Sequence, residues 1–155
     1  MKILCVCLGN ICRSPIAEGV FRKLLQGRGL KWTVESAGTN RYHKGGPADE
    51  RSVAAALKGG IDLSEHVARR FRSEDFDQYD LIFSMAPDVL EEMEEFIRSD
   101  GDRRKVVNFM DVLFPDENRA VPDPWYGGPA DFDRCYELIE RLSRAWMERL
   151  LKSQP

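Results

Sequence analysis

A cysteine and an arginine bracket a short glycine-containing stretch, Cys7-Leu8-Gly9-Asn10-Ile11-Cys12-Arg13-Ser14-Pro15. The apolar run that begins at Ile3 stops at Gly9 and Asn10. Ser14 and Pro15 then read as a helix start, with Ser14 at the N-cap and Pro15 at the first helical position. A strand, a tight loop and a helix in that order turn several backbone N–H groups toward the positive end of the helix dipole, which makes an anion site. Cys7 opens the loop and Arg13 closes it, so a thiol and a guanidinium face the same oxyanion. The dipole, the N–H groups and Arg13 all favour the thiolate, the nucleophilic form of cysteine. Arg13 adds a planar fork of donors that holds two phosphate oxygens at once. The chemistry indicated is attack of Cys7 on a phosphate ester, with Leu8, Gly9, Asn10, Ile11, Cys12 and Ser14 cradling the anion.

Other uses of these residues have their own signatures. Free cysteines are often small core residues, and Cys5, Cys7 and Cys12 can be read that way. As a metal site, Cys-x-Cys-x4-Cys lacks a nearby histidine or fourth cysteine, so no metal is expected here. The glycine-lysine string of a nucleotide-binding loop does not follow the first strand.

Attack by a thiolate leaves a cysteinyl-phosphate and expels an alkoxide or phenoxide. A general acid assists that departure, and the same group can then activate water. Asp123 is the candidate. Pro122 and Pro124 stiffen its loop, and Trp125 and Tyr126 stand ready to exclude water or to stack on an aromatic ring. The competing readings are that Asp123 only caps a turn beside proline and that the two aromatics only cover the last helix.

These residues need elements to position them. Residues 3–7 form an apolar run suited to a buried parallel strand. Ala17, Val20, Phe21, Leu24 and Leu25 fall at helical spacing over 15–26, and Gly27-Arg28-Gly29 ends that helix. A second strand is expected over 32–37, a long loop over 38–47 and a helix over 48–58; 61–76 is less regular. A third strand over 79–85 leads to a helix opened by Pro87, then a fourth strand over 105–110. Residues 120–129 suit neither helix nor central strand. The last helix is expected over 131–152, with Phe132, Cys135, Leu138, Ile139, Leu142, Trp146 and Leu150 on one face. Alternating strands and helices predict a three-layer α/β sandwich, a parallel sheet with helices on both faces. Ligands in such sheets sit beyond the carboxyl ends of the strands, where Cys7 lies.

The chain has 155 residues, 43% hydrophobic and 32% charged, with net charge −3. That suits one domain over 1–155. Mild acidity without a lysine and arginine stripe argues against nucleic acid as a partner. No apolar run reaches the roughly 18 residues of a membrane span. A cleavable leader would remove the Cys7 loop, so a cytoplasmic location is expected, with the four cysteines reduced.

Together these features resemble the low-molecular-weight protein tyrosine phosphatases. Cys7-Leu8-Gly9-Asn10-Ile11-Cys12-Arg13-Ser14-Pro15-Ile16-Ala17-Glu18 is similar to that family's Cys-x5-Arg-Ser signature and its flanks. Ser36-Ala37-Gly38, Asp49-Glu50-Arg51, Ala68-Arg69, Asp75-Phe76, Asp80-Leu81-Ile82 and Asp123-Pro124-Trp125-Tyr126-Gly127 follow in the family's order. The resemblance implies a four-stranded parallel sheet of flavodoxin-like phosphatase type, and hydrolysis without metal or cofactor through a phosphocysteine. It implies Cys7 as nucleophile, Arg13 as clamp and Asp123 as acid then base. It also implies that Asn10 holds a left-handed turn bonded to Ser14, Ser36 and His66, that Ser14 steadies the thiolate, and that Cys7 and Cys12 form a reversible disulfide under peroxide. Ile11, Tyr42, Trp125 and Tyr126 would line an aryl slot. Ile11, where relatives acting on phosphoarginine carry threonine, points to phosphotyrosine. Ala86 departs from the aspartate common in the family. Arg41, His43 and Lys44 either meet acidic residues flanking the phosphotyrosine or form a solvated loop. The implied partner is a phosphotyrosine-bearing protein such as a tyrosine kinase, and the implied state a monomer or weak dimer. An arsenate reductase on the same fold would need a cysteine relay, and the only cysteine outside 5–12 is Cys135 on the last helix. A phosphopeptide-binding module would need neither Cys7 nor Asp123.

Overall fold

The computed structural model describes residues 1–154. Four parallel strands form one sheet in the order β2-β1-β3-β4. β1 (Lys2–Cys7) is central, flanked by β2 (Thr33–Gly38) on one side and β3 (Leu81–Ser84) on the other, and β4 (Val106–Asn108) closes the far edge. The chain leaves β1 toward β2 and returns to the other side for β3, so the carboxyl end of β1 opens at the switch point where such sheets bind ligands.

β1 reads as continuously apolar because both its faces are covered. Alternate residues point to opposite sides of a strand. Ile3, Cys5 and Cys7 join a core with α1 (Arg13–Gly27) and α6 (Pro129–Lys152). Leu4 and Val6 join a second core with Phe71, Phe76, Val89 and Met93. That second face carries α3 (Asp75–Gln78) and α4 (Pro87–Met93). In the first core, Phe83 lies 5.0 Å from Phe109 and 4.8 Å from Trp146, centroid to centroid. Each such ring contributes about 1.5–3 kcal/mol by leaving water.

The observed elements differ from the sequence reading at their ends. β3 begins two residues late because the Tyr79 N–H closes the α3 turn on the Asp75 carbonyl, while the Asp80 N–H reaches Lys2. β4 stops at Asn108 because the Trp146 indole takes the Phe109 carbonyl at 2.8 Å and the chain coils into a 3-10 turn over Phe109–Val112. The helix opened by Pro87 is α-helical only to Met93 and tightens to 3-10 over Glu94–Phe96. Its N-cap is Ala86, 1% exposed in the second core, and among the described residues no side chain caps this helix. α2 (Glu50–Lys58) is capped by Asp49, whose carboxylate accepts the Arg51 N–H at 2.8 Å. The remaining helix, α5 (Asp100–Arg104), is capped by Ser99.

Candidate active site

Cys7 ends β1 opposite Gly38 and is 3% exposed. Beyond the ladder, the N–H groups of Thr39 and Asn40 donate to the carbonyls of Cys7 and Leu8, each at 3.0 Å, so the exit of β2 runs alongside the loop. Asn10 takes a φ of 59°, the left-handed conformation that asparagine tolerates better than most side chains. Its side chain then pins the turn. Nδ2 donates to Ser14 Oγ and Ser36 Oγ, each at 2.9 Å, and Oδ1 accepts the Arg69 N–H at 3.0 Å. His66 Nε2 lies 2.7 Å from the Asn10 carbonyl oxygen. Asn10 is fully buried, and each polar atom of its amide is used.

α1 starts one residue before the expected cap. Cys12 is the N-cap, Arg13 the first helical residue, and Ser14 lies inside the first turn. The reason is a competing partner: Ser14 Oγ lies 2.9 Å from Cys7 Sγ. Because Ser14 Oγ already accepts from Asn10, and the Ala37 carbonyl stands farther off at 3.5 Å, its single proton is best directed at the Cys7 sulfur. Among the described residues no side chain caps α1, which leaves its leading N–H groups to an anion.

Arg13 is buried. Its Nη1 donates to the Val121 carbonyl at 2.9 Å, and its Nη2 lies 3.6 Å from Asp123 Oδ2. Val121 is fixed in turn by its N–H to the Met85 carbonyl at 2.8 Å, just beyond β3. The other Asp123 oxygen, Oδ1, accepts the Trp125 N–H at 3.1 Å. The carboxylate therefore makes a turn with one oxygen and faces the guanidinium with the other.

A cleft of about 300 Å³ opens over these groups. Its floor is Cys7, Leu8, Gly9, Ile11, Cys12 and Arg13, and its walls are Asn40, Tyr42, His43, Asp123, Trp125 and Tyr126. Asn10 and Ser14, expected against the substrate, do not line it; their side chains are sealed beneath the loop, with Ser36 also buried and His66 behind. Of Arg41, His43 and Lys44, His43 lines the cleft, its ring 5.5 Å from that of Trp125. Burial, reinforced by Cys7, pushes the Cys12 thiol well above its ordinary range, so it remains a thiol. Burial pushes Cys135 up to about 12. Among the described residues no group of three or more His, Cys, Asp or Glu is placed to hold a metal ion, and no helix is long and apolar enough to cross a membrane.

Residues 2–155 match the family model described as low molecular weight phosphotyrosine protein phosphatase. The chain belongs to that family. The human low molecular weight phosphotyrosine protein phosphatase is 37% identical over 150 residues, spanning 96% of this chain and 94% of the human one. The structure of Vibrio vulnificus Wzb in complex with benzylphosphonate superimposes with a TM-score of 0.83 at 32% identity, covering 96% of this chain and 97% of its own. The arginine phosphatase YwlE, of Bacillus subtilis, was solved as a Cys-to-Ser mutant with a phosphorylated active-site serine. It superimposes at 0.88 with 27% identity, covering 99% of this chain and 98% of its own.

Two residues of this low-molecular-weight phosphatase enter the site without having stood out as site residues in the sequence. Arg51 packs on Trp125. Gly38 is the second. A Cβ there would lie 2.6 Å from the Leu8 carbonyl oxygen, 2.9 Å from the Asn10 nitrogen and 2.9 Å from the Gly9 carbonyl carbon. All three are backbone atoms of the anion loop, so the loop has to move. Gly38→Ala should destabilise the protein by about 1–3 kcal/mol, the usual cost of overpacking. It should also weaken phosphate binding, because the N–H groups lose their common focus. A denaturant midpoint and a phosphate titration on the same variant check both effects; unchanged values in both would mean that the loop accommodates the methyl.

Proposed function

We propose that Cys7, Arg13 and Asp123 hydrolyse phosphotyrosine in two steps through a cysteinyl-phosphate. The activity is that of the family, hydrolysis of a phosphoric monoester of tyrosine. The observation that carries the residue roles is the convergence of a buried thiol, a buried guanidinium and a carboxylate on one small cleft, with a hydroxyl 2.9 Å from the sulfur.

In the first step the Cys7 sulfur attacks phosphorus. The S–P bond forms as the bond from phosphorus to the phenolic oxygen breaks, and the Asp123 proton passes to that oxygen. The Arg13 fork and the α1 N–H groups hold the equatorial oxygens as charge shifts onto them. In the second step the Asp123 carboxylate takes a proton from water while the water oxygen bonds to phosphorus. The S–P bond breaks, inorganic phosphate leaves and the Cys7 thiolate returns. Ser14 stabilises that thiolate as attacker and as leaving group.

Ile11, Tyr42, Trp125 and Tyr126 form the slot for the tyrosine ring. Tyr42 and Tyr126, 86% and 94% exposed, gain burial only against a ligand. YwlE shares the fold, so the fold does not separate phosphoarginine from phosphotyrosine; the apolar Ile11 favours the aryl ester. The proposed partner is a phosphotyrosine-bearing protein such as a tyrosine kinase, met in the cytoplasm by a monomer or weak dimer. Four free thiols suit that compartment. Cys12, in the floor beside Cys7, is the proposed resolving thiol when peroxide oxidises Cys7.

Steady-state hydrolysis of phosphotyrosine, phosphoserine and phosphoarginine peptides tests the specificity; turnover led by phosphoarginine would overturn it. Asp123→Asn tests the acid. kcat/KM for phenyl phosphate should fall about 10²-fold or more, and that for p-nitrophenyl phosphate, whose leaving group needs no proton, far less. Equal losses on both substrates would remove Asp123 from the role.

A further inference from the structure

We propose that Arg51 is a positioning residue, which sets the reach of Asp123 over Cys7 by clamping the acid loop to the anion loop. The inference rests on Asp123 being the acid. Arg51 lies at the start of α2, two residues past the Asp49 cap. Its Nε and Nη2 donate to the two oxygens of Asp49 at 3.1 and 3.0 Å, and its Nη1 donates to the Gly127 carbonyl at 3.0 Å. The guanidinium carbon stands 4.4 Å from the centre of the Phe132 ring and 5.7 Å from that of Trp125.

These contacts face two directions. Asp49 belongs to the anion-loop side, since its N–H donates to the Ile11 carbonyl at 2.9 Å. Gly127 belongs to the acid-loop side, since its N–H closes the turn on the Pro124 carbonyl at 2.8 Å. Trp125 carries the N–H that Asp123 Oδ1 accepts. One planar group therefore joins the loop that holds phosphate to the loop that delivers the proton. The acid loop needs such a tie. Pro122 and Pro124 have no N–H to give, Tyr126 is exposed, and the Asp123 carboxylate is 38% exposed. Phe132, fully buried in α6, sets the guanidinium plane from behind. Burial alone would raise the Asp49 carboxyl, but the Arg51 hydrogen bonds outweigh it and hold the group below its ordinary value, so the pair is ionised at neutral pH.

A tie of this kind acts on proton delivery and not on anion binding. Across a series of aryl phosphates, Arg51→Met should steepen the dependence of kcat/KM on the acidity of the leaving phenol. Phenyl phosphate should lose about tenfold and p-nitrophenyl phosphate about twofold, with inhibition by inorganic phosphate unchanged. Arg51→Lys keeps the charge but cannot fork to Asp49 and reach Gly127 together, and should fall between Arg51→Met and wild type. It carries the test if Arg51→Met does not fold. Asp123→Asn is the reference. Steepening in Asp123→Asn and in an Arg51 variant supports the inference. Steepening in Asp123→Asn with a wild-type slope in the Arg51 variants, however slow they are overall, gives Arg51 a merely structural role and overturns it. A wild-type slope in Asp123→Asn removes the acid itself, and the inference with it.

Discussion

Cys7→Ser should abolish turnover, lowering kcat/KM by at least about 10⁴-fold, while phosphate still binds. The two effects separate because sulfur and anion site depend on different atoms. The serine hydroxyl fits the space of the thiol and keeps a partner in Ser14 Oγ, now 2.9 Å from the sulfur. Asn10 holds the loop through Ser14, Ser36 and Arg69, and none of those three bonds is made by the atom that changes. What disappears is a polarisable anion able to attack phosphorus and to leave it again; a serine hydroxyl ionises far outside the working range. Phosphate should bind about as well as to wild type, since the donors that hold it are unchanged. Steady-state assays with a phosphate titration on the same preparation read both effects. Turnover within tenfold of wild type would mean that another group attacks phosphorus. Loss of phosphate binding would mean that the sulfur itself holds the loop in shape.

Much of the framework was legible from local pattern. β1 is a buried parallel strand and reads as one, and α1 and α6 show apolar faces that the structure buries against the sheet. The failures share a cause: the deciding partner is a particular side-chain contact, which hydrophobic periodicity does not report. Ser14 followed by proline is a sound capping signal, but its hydroxyl is claimed by Asn10 and Cys7 across the loop. α3 is a single turn whose buried Asp75 is satisfied by the Arg72 N–H and the Arg69 guanidinium, a clamp no periodicity reports. Ser99 and Asp102, by contrast, do carry a readable cap for α5, although its five residues show no apolar repeat. Within the site, Cys-x5-Arg and Asp123 between prolines stand out because their residue types carry chemistry. Gly38 matters through the methyl it lacks, and Arg51 through what it bridges; neither property exists until β2, α2 and the acid loop are brought to one place.

Arg13→Ala should lose both turnover and anion affinity, the opposite split from Cys7→Ser. An arginine that stabilises a transferring phosphoryl group is worth roughly 10³- to 10⁵-fold in rate, and a loss at least at the lower end is expected here. Arg13→Lys should recover little of it, which makes it the sharper variant. Arg13 spends Nη1 on the Val121 carbonyl at 2.9 Å, and that bond aims the rest of the fork into the cleft. A lysine has one ammonium at the end of a flexible stem; it can meet Val121 or the phosphate, not hold both in a plane. Removing the donor also strands the Val121 carbonyl in a buried site, at a cost of about 1–3 kcal/mol. Val121 sits two residues before Asp123, so release of that anchor should let the acid loop drift and compound the loss in the first chemical step. The measurements are kcat/KM, a phosphate titration and a denaturant midpoint for both variants. Arg13→Lys within about tenfold of wild type would show that charge near phosphorus suffices, against the 10³-fold that a positioned guanidinium commands. In that case Arg13 would be a counter-charge only, and the geometry linking Met85, Val121, Arg13 and Asp123 would serve the fold and not the transition state.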